Sequence, residues 1–134
     1  MEALQTVEAP RKVLIADDDA VTRTLLSQCF KSEGFGVTTA ADGVEACTVA
    51  GTEKHDVILV DLLLPRRDGY SVLLYLRSRE GSRETPVLIL SGESSEEHPG
   101  IARLLGAQGY IPKPFDPKVV LSTAKELLSK NGRR

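Results

Sequence analysis

Short apolar runs alternate with segments of helical periodicity along almost the whole chain. The runs have the length of strands and cover residues 12–16, 36–40, 56–60, 86–90 and 109–111. Between them, apolar residues recur at helical spacing, first at Val21, Leu25, Leu26, Cys29 and Phe30 and later at Val72, Leu73 and Leu76. The pattern therefore predicts five strands that alternate with helices.

The ends of the predicted helices carry their own signals. Helix stops are expected near Gly34, Gly106 and Gly132, and a helix start near Pro117 with Asp116 as its N-cap. The strand runs are apolar at successive positions, which is typical of a parallel sheet that helices cover on both faces. We therefore expect an α/β fold, a doubly wound (βα)5 sandwich of the flavodoxin-like kind.

Polar residues follow four of the five predicted strands. They are Asp17, Asp18 and Asp19 after the first, Asp61 after the third, Ser91 after the fourth and Lys113 after the fifth. Doubly wound sheets bind ligands outside the carboxyl ends of their strands. With the strand order 2-1-3-4-5, these residues would meet in one cleft, and the second strand, which ends in Thr38-Thr39-Ala40, would be an edge.

The residue types in this cleft indicate phosphoryl chemistry. Asp61 alone fits two roles, a turn-capping residue or a nucleophile that forms an aspartyl phosphate. Asp17 and Asp18 would supply the carboxylate oxygens of a Mg²⁺ site, and a divalent cation would relieve their mutual repulsion. Lys113 and Ser91 would contact phosphoryl oxygens.

Asp19 is the member of the acidic triplet for which we expect a structural role. Its position suits the N-cap of the helix that starts near Ala20 or Val21. Direct ligation of a metal by Asp19 is the weaker alternative. An EF-hand is excluded, because the downstream Gly and Glu spacing is absent.

Composition and charge narrow the function classes. The chain has 134 residues, is 41% hydrophobic and carries a formal net charge of -2, which favours one soluble domain and neither nucleic acid nor a membrane as a direct partner. Cys29 and Cys47 lack metal-ligand spacing, so a reduced, cytoplasmic protein is expected. We expect His55 and His98 to be peripheral, and Arg66 and Arg67 to lie in a solvated loop.

Four stretches together resemble the receiver domain of bacterial two-component response regulators, the CheY-like fold. They are VLIADDD with Arg23 following, DVILVDLLLPRRDGY, PVLILSG and GYIPKPF. The resemblance covers residues 11–130. Residues 1–10 are then a flexible leader without the features of a signal peptide, and residues 131–134 a C-terminal tail or the stub of a linker.

The resemblance implies a role for each matching residue. Asp61 would be the phosphoacceptor, and Asp17 and Asp18 would hold Mg²⁺ with the backbone carbonyl of Leu63. Ser91 and Tyr110 would be the switch pair, and Lys113 the lysine of the site. The bond between Lys113 and Pro114 would be cis.

The resemblance also implies the partners. A sensor histidine kinase or a phosphotransfer protein would donate the phosphoryl group. Phosphorylation would change the face formed by the fourth helix, fifth strand and fifth helix, to which a downstream effector protein or domain would bind. A phosphorylation-dependent homodimer stays open. The protein would be a switch rather than an enzyme, catalysing only its own phosphorylation and dephosphorylation.

Two features depart from the common family pattern. Pro99 and Gly100 lie where the fourth helix would already be under way, so we expect this helix to start late, with Pro99 in its first turn. Leu63 and Glu93 occupy positions that influence hydrolysis of the phosphoryl group in the family.

Two other functions compete with a receiver. One is a phosphatase of the haloacid-dehalogenase type, which needs a second Asp where this chain has Leu63. The other is a phosphate-independent scaffold that keeps only the fold. The presence of the whole set Asp17, Asp18, Asp61, Ser91 and Lys113 argues against a scaffold.

Overall fold

The computed structural model describes residues 10–92 and 97–130. The predicted leader, apart from Pro10, and the predicted tail lie outside these residues, as do Gly132 and Glu93. The strands are β1 (Lys12–Ala16), β2 (Gly36–Ala40), β3 (Val57–Asp61), β4 (Val87–Ser91) and β5 (Gly109–Pro112). The helices are α1 (Ala20–Lys31), α2 (Gly43–Thr52), α3 (Gly69–Ser78), α4 (Glu97–Leu104) and α5 (Pro117–Lys130).

The five strands form one parallel sheet in the order β2-β1-β3-β4-β5. This confirms the predicted (βα)5 sandwich, its strand order and the edge position of β2. The predicted bounds of β1 and β2 agree with the structure. β3 and β4 lie one residue further along than predicted, so Asp61 and Ser91 are the last residues of their strands rather than the first residues after them.

Each face of the sheet has its own hydrophobic core. Val13 and Ile15 point to the face that α1 and α5 cover, and Leu14 and Ala16 point to the other face, against α2 and α3. All four side chains are fully buried. Burial on both sides is why the strands are apolar at successive positions, because neighbouring residues of a strand face opposite sides of the sheet.

The prediction for the apolar face of α1 is wrong at two positions. Leu26 and Phe30 are buried against the sheet, but Val21 is 63% exposed and Leu25 is 49% exposed. A helix advances about 100° per residue, so Val21 lies roughly 140° around α1 from Leu26 and cannot share its buried face. For α3, the predicted face of Val72, Leu73 and Leu76 is confirmed, since all three are buried.

Several helix ends are as expected. The Asp19 side chain accepts hydrogen bonds from the backbone N–H of Val21 and Thr22, which confirms Asp19 as the N-cap of α1. Asp116 accepts from the N–H of Lys118 at the start of α5. Pro99 is the third residue of the α4 segment that is described, which agrees with its predicted place in the first turn.

The prediction that His55 is peripheral is wrong. His55 precedes β3 at the amino end of the sheet and is only 4% exposed. Its charged neighbours Lys54 and Asp56 favour an exposed side chain in the sequence. The folded chain nevertheless buries His55 at the amino end of the sheet. No helix within the described residues is both long and apolar enough to span a bilayer.

Candidate metal and phosphoryl site

The acidic residues of β1 and β3 meet at the carboxyl end of the sheet. Asp17, Asp18 and Asp61 each offer a carboxylate oxygen, and these oxygens all lie within 4.8 Å of one another. Asp17 is fully buried and Asp61 is 4% exposed, whereas Asp18 is exposed. Two carboxylates of the site are therefore buried, and the third, that of Asp18, is exposed to solvent.

Backbone contacts hold Asp17 in place. Its N–H donates to the carbonyl of Ala40, the last residue of β2, at 3.1 Å. Its Oδ1 accepts from the N–H of Asp19 at 2.9 Å, and its carbonyl accepts from Nη1 of Arg23 at 2.8 Å. Arg23 follows the acidic motif in the sequence, but its role could not be predicted, because a bond to a backbone carbonyl leaves no pattern there.

The end of β3 positions Asp61. The backbone of Asp61 lies in register with Leu90 of β4, and its Oδ1 accepts from the N–H of Leu63 at 3.1 Å. Gly69, the first residue of α3, packs directly on this turn. A Cβ at Gly69 would lie 2.6 Å from the carbonyl oxygen of Asp61, so only glycine allows α3 to start this close to the site.

Lys113 brings the positive charge. Its Nζ lies 2.9 Å from Oδ2 of Asp17 and 3.1 Å from Oδ2 of Asp61. The contact with Asp17 is an ion pair to a fully buried carboxylate, and Nζ also donates a hydrogen bond to Asp61. The bond between Lys113 and Pro114 is cis, as the resemblance implied.

Burial and the neighbouring charges shift the pKa values of both Asp17 and Lys113. Burial raises the pKa of the Asp17 carboxyl, and the nearby Lys113 ammonium only partly offsets this. Burial also opposes the charged form of Lys113, but the carboxylates of Asp17 and Asp61 outweigh it and raise the pKa of this lysine. Lys113 is therefore a persistent cation between two carboxylates.

The oxygen ligands and the formal charge both fit a hard divalent cation. Three carboxylates and one ammonium leave two negative charges in the cluster. Mg²⁺ prefers carboxylate oxygens and keeps several waters, which the exposed side near Asp18 can accommodate. The burial of Asp17 favours a further cation here, because a buried carboxylate is costly unless it is paired, and the Lys113 ammonium is shared between Asp17 and Asp61.

The predicted switch residues lie on the two strands beyond Asp61. Ser91 is fully buried at the end of β4, and its carbonyl accepts from the N–H of Lys113 at 2.6 Å. Tyr110 lies in β5 in register with Ile89 and is partly buried. The structure thus brings Asp17, Asp18, Asp61 and Lys113 into direct proximity and places Ser91 and Tyr110 on the adjacent strands.

The two cysteines lie outside the site. Cys29 is partly buried in α1 and Cys47 is buried in α2, and both are free thiols. Burial raises the pKa of the Cys47 thiol, against a smaller lowering by Arg67. Arg66 and Arg67 are exposed, as predicted, and the guanidinium of Arg67 lies 5.2 Å from the ring centre of Tyr75.

Two curated proteins similar to this chain are transcriptional regulatory proteins. The alkaline phosphatase synthesis transcriptional regulatory protein PhoP of Bacillus subtilis is 36% identical over 121 residues, covering 90% of this chain and 50% of that protein. The transcriptional regulatory protein CpxR of Escherichia coli is 32% identical over 120 residues, again 90% of this chain and 50% of that protein. The chain thus spans about half the length of these relatives.

Solved structures share the fold over nearly their whole length. The chemotaxis protein CheY4 of Vibrio cholerae is 35% identical with a TM-score of 0.83, covering 88% of this chain and 98% of that one. The receiver domain of a sensor histidine kinase from Pseudomonas aeruginosa is 28% identical with a TM-score of 0.82, covering 91% of this chain and 100% of that one. That structure has a magnesium ion coordinated in its active-site cleft.

The family assignment rests on both the site and the sequence. The acidic pocket of Asp17, Asp18 and Asp61 fits the phosphoacceptor site of a receiver. Residues 13–125 match the family described as the response regulator receiver domain. The chain belongs to this family of signalling domains.

Proposed function

We propose that this protein is a phosphorylation-dependent switch in which Asp61 accepts a phosphoryl group and Asp17 and Asp18 hold Mg²⁺. The backbone carbonyl of Leu63 is the further metal ligand in this proposal. The observation that carries it is the position of Asp61, at a strand end and between the acidic pair and the Nζ of Lys113. Bound Mg²⁺ would neutralise charge on the phosphoryl oxygens.

The chemistry is a single phosphoryl transfer. A carboxylate oxygen of Asp61 forms a bond to phosphorus, while the bond between phosphorus and the imidazole nitrogen of a donor phosphohistidine breaks. The N–H of Leu63 holds Oδ1 of Asp61, and Lys113 contacts Oδ2, so the carboxylate is oriented before the donor arrives. Lys113 then transfers its contact from Asp61 to a phosphoryl oxygen.

The switch follows from the strands that flank the site. The hydroxyl of Ser91 donates a hydrogen bond to the phosphoryl group and moves towards it. This movement reaches the end of β5, because the carbonyl of Ser91 accepts a hydrogen bond from the N–H of Lys113. Tyr110 lies in β5 and responds by moving inward. The face formed by α4, β5 and α5 changes shape and binds the effector according to phosphorylation state.

The donor is a sensor histidine kinase or a phosphotransfer protein. It must reach Asp61 from the solvent side of the site. An apolar groove of about 430 Å³ lies beside Lys113, where α1, the loop after β5 and the start of α5 line it with Thr22, Leu25, Lys113, Pro114, Phe115 and Pro117. The exposed side chains of Val21 and Leu25 give the donor an apolar surface next to the site.

Acetyl phosphate and Mg²⁺ test the proposal directly. The wild-type protein is expected to gain the mass of one phosphoryl group in intact-mass spectrometry, and excess chelator should prevent the gain. Asp61→Asn should gain nothing, because the amide is not a nucleophile. Asp56→Asn is the matched control, since Asp56 precedes the same strand at the opposite end of the sheet. No gain on wild type, or an unchanged gain on Asp61→Asn, would refute the proposal.

A further inference from the structure

A single guanidinium from α3 holds the C-terminal end of α4. Arg77 lies in the last turn of α3 and is partly buried. Its Nε and Nη2 both donate to the carbonyl of Gly106, just beyond α4, at 3.1 and 2.7 Å. A cation at this place also interacts favourably with the negative end of the α4 dipole.

The other donors of Arg77 tie the same point to the sheet. Nη1 donates to the carbonyl of Ser82 at 3.1 Å, and Nη2 also donates to Oε1 of Gln108 at 3.0 Å. That Oε1 accepts from the N–H of Val87, the first residue of β4, at 2.8 Å. One side chain therefore connects α3, the loop before β4, the start of β4 and the end of α4.

The backbone at the end of α4 is shaped for this contact. Gly106 has a φ of +105°, and a Cβ there would lie 2.8 Å from Nε of Arg77. The N–H of Gly106 donates to the carbonyl of Arg103, and the N–H of Ala107 donates to that of Ala102. Glycine thus allows both the left-handed turn and the close approach of the guanidinium.

The rest of α4 is lightly packed. Among its side chains at residues 99–104, only Ala102 is buried, and Leu104 is 86% exposed. Ala102 has a small side chain, so burying it contributes little. The two bonds from Arg77 to the carbonyl of Gly106 therefore add to the few contacts that attach the end of α4 to the domain.

We propose that Arg77 is a positioning residue that anchors the C-terminal end of α4, so that phosphorylation moves the N-terminal half of α4 about this fixed point. The location of the moving half follows from the chain, since α4 comes shortly after Ser91 at the phosphoryl site. The anchor stands on the hydrogen bonds of Arg77 alone, and the pivot also rests on the proposed function.

Amide hydrogen exchange in the unphosphorylated protein tests the anchor. Arg77→Gln should lower protection by roughly 10- to 100-fold at the amides of Leu105, Gly106, Ala107 and Gln108, because bonds from a charged group are lost at this turn. Protection in α5 should not change. Arg77→Lys keeps one donor group and should give a smaller loss at the same amides, which also serves if Arg77→Gln does not fold.

Arg79→Gln is the matched control. It removes the same charge two residues further along, at the C-cap of α3, but Arg79 faces the ring of Tyr75 rather than α4. Equal losses for Arg77→Gln and Arg79→Gln would overturn the anchor, as would a loss spread evenly over the whole chain.

The pivot is tested by repeating the exchange after treatment with acetyl phosphate and Mg²⁺. In wild type, the change should fall on residues 97–101 and leave residues 105–108 as they were. In Arg77→Lys, it should extend through residues 105–108. A wild-type change that is equal at both ends of α4 would overturn the pivot.

The intact mass of the same samples separates the two proposals. A phosphorylated sample with an equal change at both ends refutes the pivot alone. A sample without a phosphoryl group refutes the proposed function and the pivot that rests on it. The unphosphorylated comparison decides the anchor in either case.

Discussion

At the carboxyl end of the sheet, the buried carboxylates of Asp17 and Asp61 share the ammonium of Lys113, whereas at the amino end a buried imidazole, His55, makes no hydrogen bond at either ring nitrogen. The first group is charged and carries an excess of negative charge. The second is an imidazole whose neutral form is favoured, because burial lowers its pKa. The difference shows that one end of this sheet offers oxygen ligands for a cation, while burial at the other end disfavours the charged form of an imidazole.

The surroundings of His55 explain why it stays neutral. Its Nε2 lies 3.6 Å from Oε2 of Glu53, but that oxygen already accepts from the hydroxyl of Thr38 at 3.1 Å. Oε1 of Glu53 lies 3.4 Å from Nζ of Lys12. Glu53 is therefore engaged on both oxygens, and burial lowers the pKa of His55 more than Glu53 and Asp56 raise it.

The largest expected effect breaks the charged end. Lys113→Met leaves the two carboxylates without their cation and should lower the free energy of unfolding in chelator by about 3 kcal/mol. This is the lower end of the usual range, because Lys113 is 24% exposed. Mg²⁺ should restore part of the loss, since it replaces the missing positive charge. Urea unfolding with and without Mg²⁺ measures both effects.

Lys125→Met is the control for this prediction. Lys125 also contacts a carboxylate, that of Glu33, but both side chains are well exposed. Its removal should cost less than about 1 kcal/mol and should not depend on Mg²⁺. An equal cost for Lys113→Met and Lys125→Met would contradict the contrast between buried and exposed pairs.

The second prediction concerns the exposed carboxylate of the metal site. Wild type should gain about 2.7 kcal/mol at a Mg²⁺ concentration 100-fold above its Kd, and Asp18→Asn should lose this gain. In chelator, the variant should be slightly more stable than wild type, because one negative charge has been removed from the cluster. Thermal melts with Mg²⁺ and with chelator give both comparisons. Identical melting points of the two proteins in chelator would count against repulsion in the metal-free site.

The smallest effect tests the neutral end through pH. The folded protein keeps the pKa of His55 below its ordinary value of 6.5, so below that pH the unfolded chain binds a proton that the folded protein does not. The contribution of His55 is therefore complete above pH 6.5 and is lost as pH falls towards the lowered pKa. Wild type should lose about 1 kcal/mol more than His55→Gln between about pH 7.5 and pH 5.5.

Urea unfolding at the two pH values measures this difference, and the value at the higher pH separates it from any packing cost of the substitution. Glu53, Asp56 and Lys12 are the charged groups that face His55, and all three are present in both proteins. Parallel pH dependence of wild type and His55→Gln would show that His55 is not held neutral.

Much of the fold and the site could be predicted because both depend on strand ends. Strands that are apolar at successive positions predict the parallel sheet, and the sheet brings the residues at the carboxyl ends of β1, β3 and β5 to one edge. The order of residues along the chain was therefore enough to group Asp17, Asp61 and Lys113. The cis bond before Pro114 came from the resemblance, as did the switch roles of Ser91 and Tyr110, which remain proposals.

The errors and omissions share another cause, since they concern contacts that have no local pattern. The burial of His55 depends on how the loop before β3 packs at the amino end of the sheet. The exposure of Val21 and Leu25 depends on which side of α1 packs against the sheet. Arg77 binds carbonyls of Ser82 and Gly106, and a carbonyl looks the same at every position of the sequence.

The ion cluster joins residues that lie far apart in the order of synthesis. Asp17 is synthesised early, whereas Lys113 follows β5, which is an edge strand and the last strand in the sequence. Until Lys113 has been synthesised, the acidic loop after β1 lacks this counter-ion. The nascent chain can therefore form this ion cluster only after all five strands have been synthesised.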